Sequence, residues 1–264
     1  MSERSFTIHE IEGYIESIFL VESEGRLLLL DGGCRGDAAR IEAFITGTMG
    51  RPMADLKLMA VSHMHPDHAG GAPILRQKFG IPIAAHHRVD DWYRGWRGWL
   101  QNQVDRRLAR FSARRNGKKR ERVAYPRKLT PDYPLRDGDQ LPGFPEWVTM
   151  TFPGHTSFDI GLFNKTRSVF YAADLILCIN GKFMLPFPIP FPEEMKGSLT
   201  RFAKLNAETL LLAHGGKLKN MDFARLAGPL IERVGEVSNP MFRRILPFTT
   251  IGPEIKRKHR KKSR

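Results

Sequence analysis

The chain has 264 residues, 41% of them hydrophobic, enough for a full-size core without covalent staples, and its two cysteines, Cys34 and Cys178, exclude a secreted disulfide framework while leaving one bridge open. The net charge of +14 is local: residues 88–128 carry fourteen Arg and Lys against four acids, and residues 254–264 carry seven bases against one. No apolar run approaches the ~20 residues of a membrane span, and "MSERSFTIHEIEGY" lacks the basic start and apolar block of an export signal, so a cytoplasmic protein with no transmembrane segment is expected.

In chain order, "YIESIFLVESEGRLLLLDGG" reads as a hairpin, with one strand near Ile15–Val21, a turn at Ser23-Glu24-Gly25 and a second strand ending at Asp31. "DAARIEAFITGTM" has Ala38, Ile41, Phe44 and Ile45 at helical spacing. "DLKLMAVSH" is a short strand, "GGAPILRQKFG" a short helix stopped by Gly80, and "IPIAAHH" another buried strand. Strands alternating with helices predict a layered α/β fold.

The pattern changes between residues 89 and 134. "DDWYRGWRGWLQNQVDRRLARFSARR" sets Trp92, Trp96, Trp99, Leu100, Val104, Leu108 and Phe111 on one helical stripe among arginines, weakened by Gly95 and Gly98, and "RNGKKRER" reads as a polar loop. Strand and helix patterns then resume: "PEWVTMTFPGHT", a hairpin in "DIGLFNKTRSVFYAADLIL" turning at Asn164-Lys165, and the rigid extended stretch "LPFPIPFP". A helix "SLTRFAKLN", a strand "ETLLLAHGG" and a closing helix from Asp222 to Val237 complete it. Residues 1–253 are expected to form one domain with 89–134 as a cap-like insert, and the apolar-poor tail 254–264 to be disordered.

Four separated pieces carry the chemistry. "SHMHPDHAGG" supplies His63, His65, Asp67 and His68 directly after a strand; "FPGHTS" supplies His155, "VFYAADLIL" supplies Asp174, and "LLAHGG" supplies His214, each where an apolar strand stops. Taken singly, His155 would be an ordinary loop histidine, Asp174 a turn or cap residue, and His214 a strand terminus. Together they supply imidazole and carboxylate donors that suit zinc, iron or manganese, with no thiolate among them. Seven donors exceed the needs of one tetrahedral ion and fit two ions sharing a carboxylate. Such a pair ~3.5–4 Å apart activates water and polarises an electrophile. His86 and His87 end a strand too and are expected to lie outside any ligand set.

These motifs, in this order, resemble the metallo-β-lactamase-fold hydrolase superfamily with its pattern HxHxDH, then H, then D, then H; "LLLLDGG" matches its early acidic motif at Asp31. The resemblance runs from Ile15 to Gly216 and is specific for the superfamily rather than for one substrate. It implies a four-layer αββα sandwich of two mixed sheets flanked by helices. It also implies that His63, His65 and His155 hold one ion, that Asp67, His68 and His214 hold the second, that Asp174 bridges, and that Asp31 orients the ligand loop. Asp67 and Asp174 become the catalytic carboxylates, and two divalent ions, zinc by preference, the cofactors.

A histidine at His65 disfavours the flavodiiron oxygen reductases, which carry an acid there, and the 39 residues between Asp174 and His214 are too few for the β-CASP insert of the related nucleases. Hydrolysis of a small ester, thioester or lactone is therefore expected. A nuclease or phosphodiesterase using the basic insert and tail on RNA or DNA is the rival, and a mononuclear-iron sulfur dioxygenase shares the motif. The tryptophan stripe fits a cap lining the cleft, with arginines turned to an anionic small-molecule substrate, or a buried core face. A helix on an anionic membrane is the weaker option because of its glycines.

Overall fold

The computed structural model describes residues 6–235 and 240–262. The first sheet runs in spatial order β1 (Phe6–Glu12), β2 (Ser17–Ser23), β3 (Arg26–Leu30), β4 (Leu56–Val61), β5 (Ile83–His86) and β6 (Tyr133–Leu135), antiparallel from β1 to β3 and parallel from β3 to β6. The second takes β7 (Gln140–Leu141), β8 (Phe144–Thr151), β9 (Ile160–Asn164), β10 (Val169–Tyr171), β13 (Thr209–Leu212) and β14 (Gly216–Lys219) in the order β14-β13-β10-β9-β8-β7; β10 and β13 are its parallel pair. A separate hairpin joins β11 (Leu177–Ile179) to β12 (Lys182–Met184).

The leucine run of β3 shows why two sheets stack. Side chains alternate across a strand, so Leu28 and Leu30 face one way and Leu27 and Leu29 the other. Leu28 and Leu30 join Phe19, Trp147, Leu162 and Tyr171 in the layer between the sheets. Leu27 and Leu29 pack outward with Ile41 of α1 (Asp37–Ala43) and Leu75 of α3 (Ala72–Phe79). On the far side of the second sheet, Phe170, Leu210 and Leu212 meet α5 (Pro192–Phe202) and α6 (Phe223–Arg233), whose Phe202 and Phe223 rings stack 4.4 Å apart. The expected four layers are present. Both cysteines are free.

Two local expectations need correction, and one element was not expected. The insert is helical over α4 (Gly95–Arg115), but the face it buries is Gly98, Gln101, Asn102, Asp105, Ala109 and Ala113. Trp96 and Trp99 are exposed and Trp92 precedes the helix. The reason is steric: a Cβ on Gly98 would stand 1.9 Å from the Tyr93 carbonyl carbon, so the small, polar side is the one that fits against the body. The basic tail, expected to be disordered from Glu254, lies in α8 (Ile251–Lys262), which follows α7 (Pro240–Ile245); Ile251 and Ile255, one turn apart, seat on the first core cluster and give the helix an anchored start. Ser263 and Arg264, Met1–Ser5 and the end of the expected closing helix at 236 and 237 lie outside the described residues. The unexpected element is the β11–β12 hairpin, which turns at Asn180-Gly181, at φ +51° and +74°, the dipeptide that two-residue hairpin turns favour.

This topology places the chemistry. Strands β3, β4 and β5 run parallel, and β8, β10 and β13 share a direction in the other sheet, so "DGG", "SHMHPDH", "PGH", "AAD" and "AHGG" all emerge at carboxyl ends of strands along one edge of the sandwich.

Candidate metal centre

The His63–His68 loop is held tightly against the loop after β3. Short helix α2 (Pro66–Ala69) starts with Pro at its first position, and His65, extended, accepts from the backbone of His68 and Ala69. The Gly32 N–H donates to His68 O (2.7 Å) and the Gly71 N–H to Gly33 O (3.0 Å). A Cβ on Gly71 would sit 2.2 Å from Gly32 O. The glycines flanking the histidines therefore permit close backbone approach, at ordinary negative φ.

Two clusters result. In the first, His65 Nδ1 lies 3.0 Å from His63 Nε2 and 2.9 Å from His155 Nε2, while Asp174 Oδ2 is 3.3 Å from His155 Nε2 and 3.9 Å from His63 Nε2. In the second, His214 Nε2 is 3.5 Å from Asp67 Oδ2, and Asp174 Oδ1 is 3.2 Å from His68 Nε2 and 3.4 Å from His214 Nε2. The donor atoms of each cluster, His63, His65, His155 and Asp174 in one and Asp67, His68 and His214 in the other, lie within 4.8 Å of one another. All seven residues singled out in the sequence meet here, with Asp174 turning one oxygen to each group. His68 Nε2 and Asp174 Oδ1 are buried without a hydrogen-bond partner. Converging imidazole nitrogens and carboxylate oxygens, two of them unsatisfied, fit divalent cations.

The electrostatics divide the histidines: against burial, Glu16 and Asp174 raise His68, Asp174 raises His214, and the Asp174 hydrogen bond lifts His155 to about 8, whereas His63 and His65 are driven down. Burial, then the neighbouring imidazoles, drives His63 well below its ordinary value, and burial with His155 drives His65 down to about 3, so both stay neutral with lone pairs free. Burial alone would raise Asp67, yet the His214 hydrogen bond and the His68 charge hold it at about 2. Against the same burial, His68 and His214 keep Asp174 well below the usual carboxylate range.

A surrounding layer fixes these rings. The Asp31 carboxylate accepts from Ser62 N (2.6 Å), Ser62 Oγ (2.6 Å) and the Tyr171 hydroxyl, and lies 2.8 Å from His68 Nδ1. Glu16, buried and pushed upward by desolvation, stands 3.1 Å from the same nitrogen. His155 Nδ1 lies 2.8 Å from Pro188 O, so the proline-rich stretch fixes that ring with Nε2 toward the cluster. His86 stacks on Phe158 (5.3 Å) and belongs to neither cluster.

Asp105 escaped the sequence reading. Buried on α4, it accepts from Tyr93 Oη (2.9 Å), Gln101 Nε2 (2.7 Å) and Trp92 Nε1 (3.3 Å), and its Oδ2 lies 3.5 Å from His65 Nε2. Desolvation lifts its carboxyl to about 7 against those hydrogen bonds. The available signal was a lone acid one turn after Gln101 in an arginine-rich helix. A carboxylate behind a ligand histidine orients the ring, and its loss costs ten- to a hundredfold in metal affinity or activity. Asp105→Asn is therefore expected to weaken metal retention about tenfold or more with unchanged circular dichroism; wild-type retention in a chelator titration would remove this role.

The clusters open into a cleft of about 740 Å³. One wall is α4 through Leu108, Phe111 and Arg115; the opposite wall is the β11–β12 hairpin and proline stretch through Ile179, Met184 and Phe187. The insert does wall the cleft, but most of its arginines point elsewhere.

A family model described as the metallo-beta-lactamase superfamily matches residues 11–214. The chain is 23% identical over 255 residues to the probable metallo-hydrolase YflN of Bacillus subtilis (strain 168), covering 84% of this chain and 90% of that one. It is 28% identical over 217 residues to a hydroxyacylglutathione hydrolase of Nitrosomonas eutropha (strain DSM 101675 / C91 / Nm57), covering 80% of this chain and 66% of that one. The archaeal metallo-beta-lactamase superfamily protein ST1585 from Sulfolobus tokodaii shares the fold with a TM-score of 0.62 at 15% identity, over 93% of this chain and 97% of that one.

Proposed function

Because this chain belongs to the metallo-beta-lactamase superfamily and is a metallo-hydrolase, we propose that it hydrolyses an ester, thioester or lactone at a dinuclear centre. The observation that carries this reading is the split carboxylate of Asp174, with Oδ2 3.3 Å from His155 Nε2 and Oδ1 3.2 Å from His68 Nε2. His63, His65 and His155 would hold one cation and Asp67, His68 and His214 the other, with Asp174 offering one carboxylate oxygen to each group. Divalent ions so placed, zinc by donor type with iron or manganese also suited, would supply a water of lowered pKa and a Lewis acid.

The chain's own groups do the rest. Asp31 and Pro188 O fix His68 and His155, so that ligand geometry is set before substrate arrives. Asp67, ionised and lining the cleft, takes the proton of the attacking water. The apolar walls around Phe111, Ile179, Met184 and Phe187 receive the acyl or alkyl part and exclude water beside the scissile bond. Thioester hydrolysis gains weight from the similarity to the Nitrosomonas eutropha enzyme. A phosphodiester substrate has less in its favour, since the basic side chains lining the cleft are Arg115 and Lys118 and Lys118 is paired with Glu12.

Two tests follow. Purified protein assayed on a panel of esters, thioesters, lactones and phosphodiesters is expected to turn over a carbonyl substrate and to lose that activity on chelation. Asp67→Ala removes a ligand and the proton acceptor; several kcal/mol of transition-state stabilisation corresponds to a loss of ~10³-fold or more in kcat/KM. Activity confined to phosphodiesters, or an active Asp67→Ala enzyme, would overturn the reading.

A further inference from the structure

We propose that the outward face of α4 is a docking surface for an anionic phospholipid bilayer. Residues 96, 99, 103, 107, 110 and 114 recur every three or four positions and share one side of the helix, opposite the buried Gly98, Gln101, Asp105 and Ala109. Trp96 is 64% exposed and Trp99 55%, and Phe111, at 63%, borders the same face. Beside the start of α4 lies Phe248, 58% exposed, in a turn tied to the helix by the Arg97 guanidinium donating to Pro247 O (2.6 Å).

Charge identifies the partner. Arg107, Arg110 and Arg114 lie on this face with Arg106 beside it, and the one acid of α4, Asp105, is turned inward to Tyr93 and Gln101. A face meant for water has no use for exposed indoles, and a face meant for another protein's apolar core would not be set with this many arginines. An anionic bilayer takes both: indole rings sit at headgroup depth and guanidinium groups pair with phosphates. The glycines do not interrupt this face, since Gly98 points inward and Gly95 is the first helical residue. More cations stand close by: α8 is tethered at its start by the Thr250 hydroxyl donating to Trp92 O (2.8 Å) and carries Lys256 and Arg257. Among the described residues no helix is long and apolar enough to cross a membrane, so the proposed contact is interfacial. Phe111, at the border of this face, also lines the cleft, which brings the bilayer toward the cleft mouth. The proposal is independent of the hydrolytic reading, because its readout is binding.

The test is co-sedimentation of the full chain with vesicles of phosphatidylcholine alone or with about 30% phosphatidylglycerol, at low salt and at ~0.5 M NaCl. Binding is expected to the anionic vesicles, to weaken with salt, and to shift tryptophan emission to the blue. Two variants of exposed positions, Trp96→Ala/Trp99→Ala and Arg107→Glu/Arg114→Glu, are each expected to lower the partition coefficient tenfold or more while keeping the wild-type melting midpoint; the first also loses the blue shift. Absence of binding to anionic vesicles overturns the proposal, as does binding that neither variant alters. So does RNA binding that the same variants abolish and that vesicles cannot compete, which would make the face a nucleic-acid surface.

Discussion

Asp174→Ala is expected to lower kcat/KM by ~10³-fold or more and to leave at most one tightly held ion per chain. Among the described residues, Asp174 is the carboxylate with oxygens within 4 Å of imidazole nitrogens in both clusters. Its Oδ2 lies 3.3 Å from His155 Nε2, and its Oδ1 3.2 Å from His68 Nε2 and 3.4 Å from His214 Nε2. Removing it strips one donor from each group and leaves His68 and His214 with Asp67 as the sole carboxylate of their cluster. Asp174→Asn retains the shape but loses the charge, so it is expected to fall between wild type and alanine in metal affinity. His86→Ala is the matched control: His86 is buried among the same strand ends but outside both clusters, so metal content should be unchanged. Kinetics and metal stoichiometry measured on the three variants separate the bridging role from general damage to the strand ends.

The second large effect is on stability. Asp31→Ala is expected to cost ~4 kcal/mol, a loss of roughly 8–16 °C in Tm for a chain of this size. Asp31 is fully buried, and truncation strands the Ser62 N–H, the Ser62 hydroxyl, the Tyr171 hydroxyl and His68 Nδ1 at once. Each stranded buried group costs about 1–3 kcal/mol, and the contributions add incompletely. Backbone conformation adds to this, since Asp31 sits at φ +61°, where asparagine and aspartate are tolerated better than alanine. Asp31→Asn should accordingly lose less. A thermal melt in which Asp31→Ala stays within about 1 kcal/mol of wild type would show that the surrounding groups find other partners.

The legible part of this molecule was the part with a local cause. The leucine run ending at Asp31 read as a strand; that Leu27–Leu30 alternate between two buried faces, and that the glycines after His68 and Asp31 let two loops pack backbone to backbone, the structure added. The seven donors sat at strand ends, and the shared strand direction brought them together. What escaped depended on which side of an element meets the body. The tryptophan stripe of α4 reads as the packing face by hydrophobicity, but Gly98 and Asp105 decide the orientation, because one allows contact at Tyr93 and the other has its acceptors satisfied only inside. Nothing local singles out Glu16, and only the fold brings it beside His68. Helix α8 depended on Ile251 and Ile255 finding a distant cluster, which a window of basic residues does not reveal.

The most direct measurement is anomalous diffraction at the absorption edge of the bound metal, on crystals of the full chain. Two peaks ~3.5–4 Å apart, one beside His63, His65 and His155 and one beside Asp67, His68 and His214, with the Asp174 carboxylate between them, are the expected result. A single peak, or a peak among Glu16, Asp31 and His68 in place of these, would contradict the bridged pair on which the proposed chemistry rests.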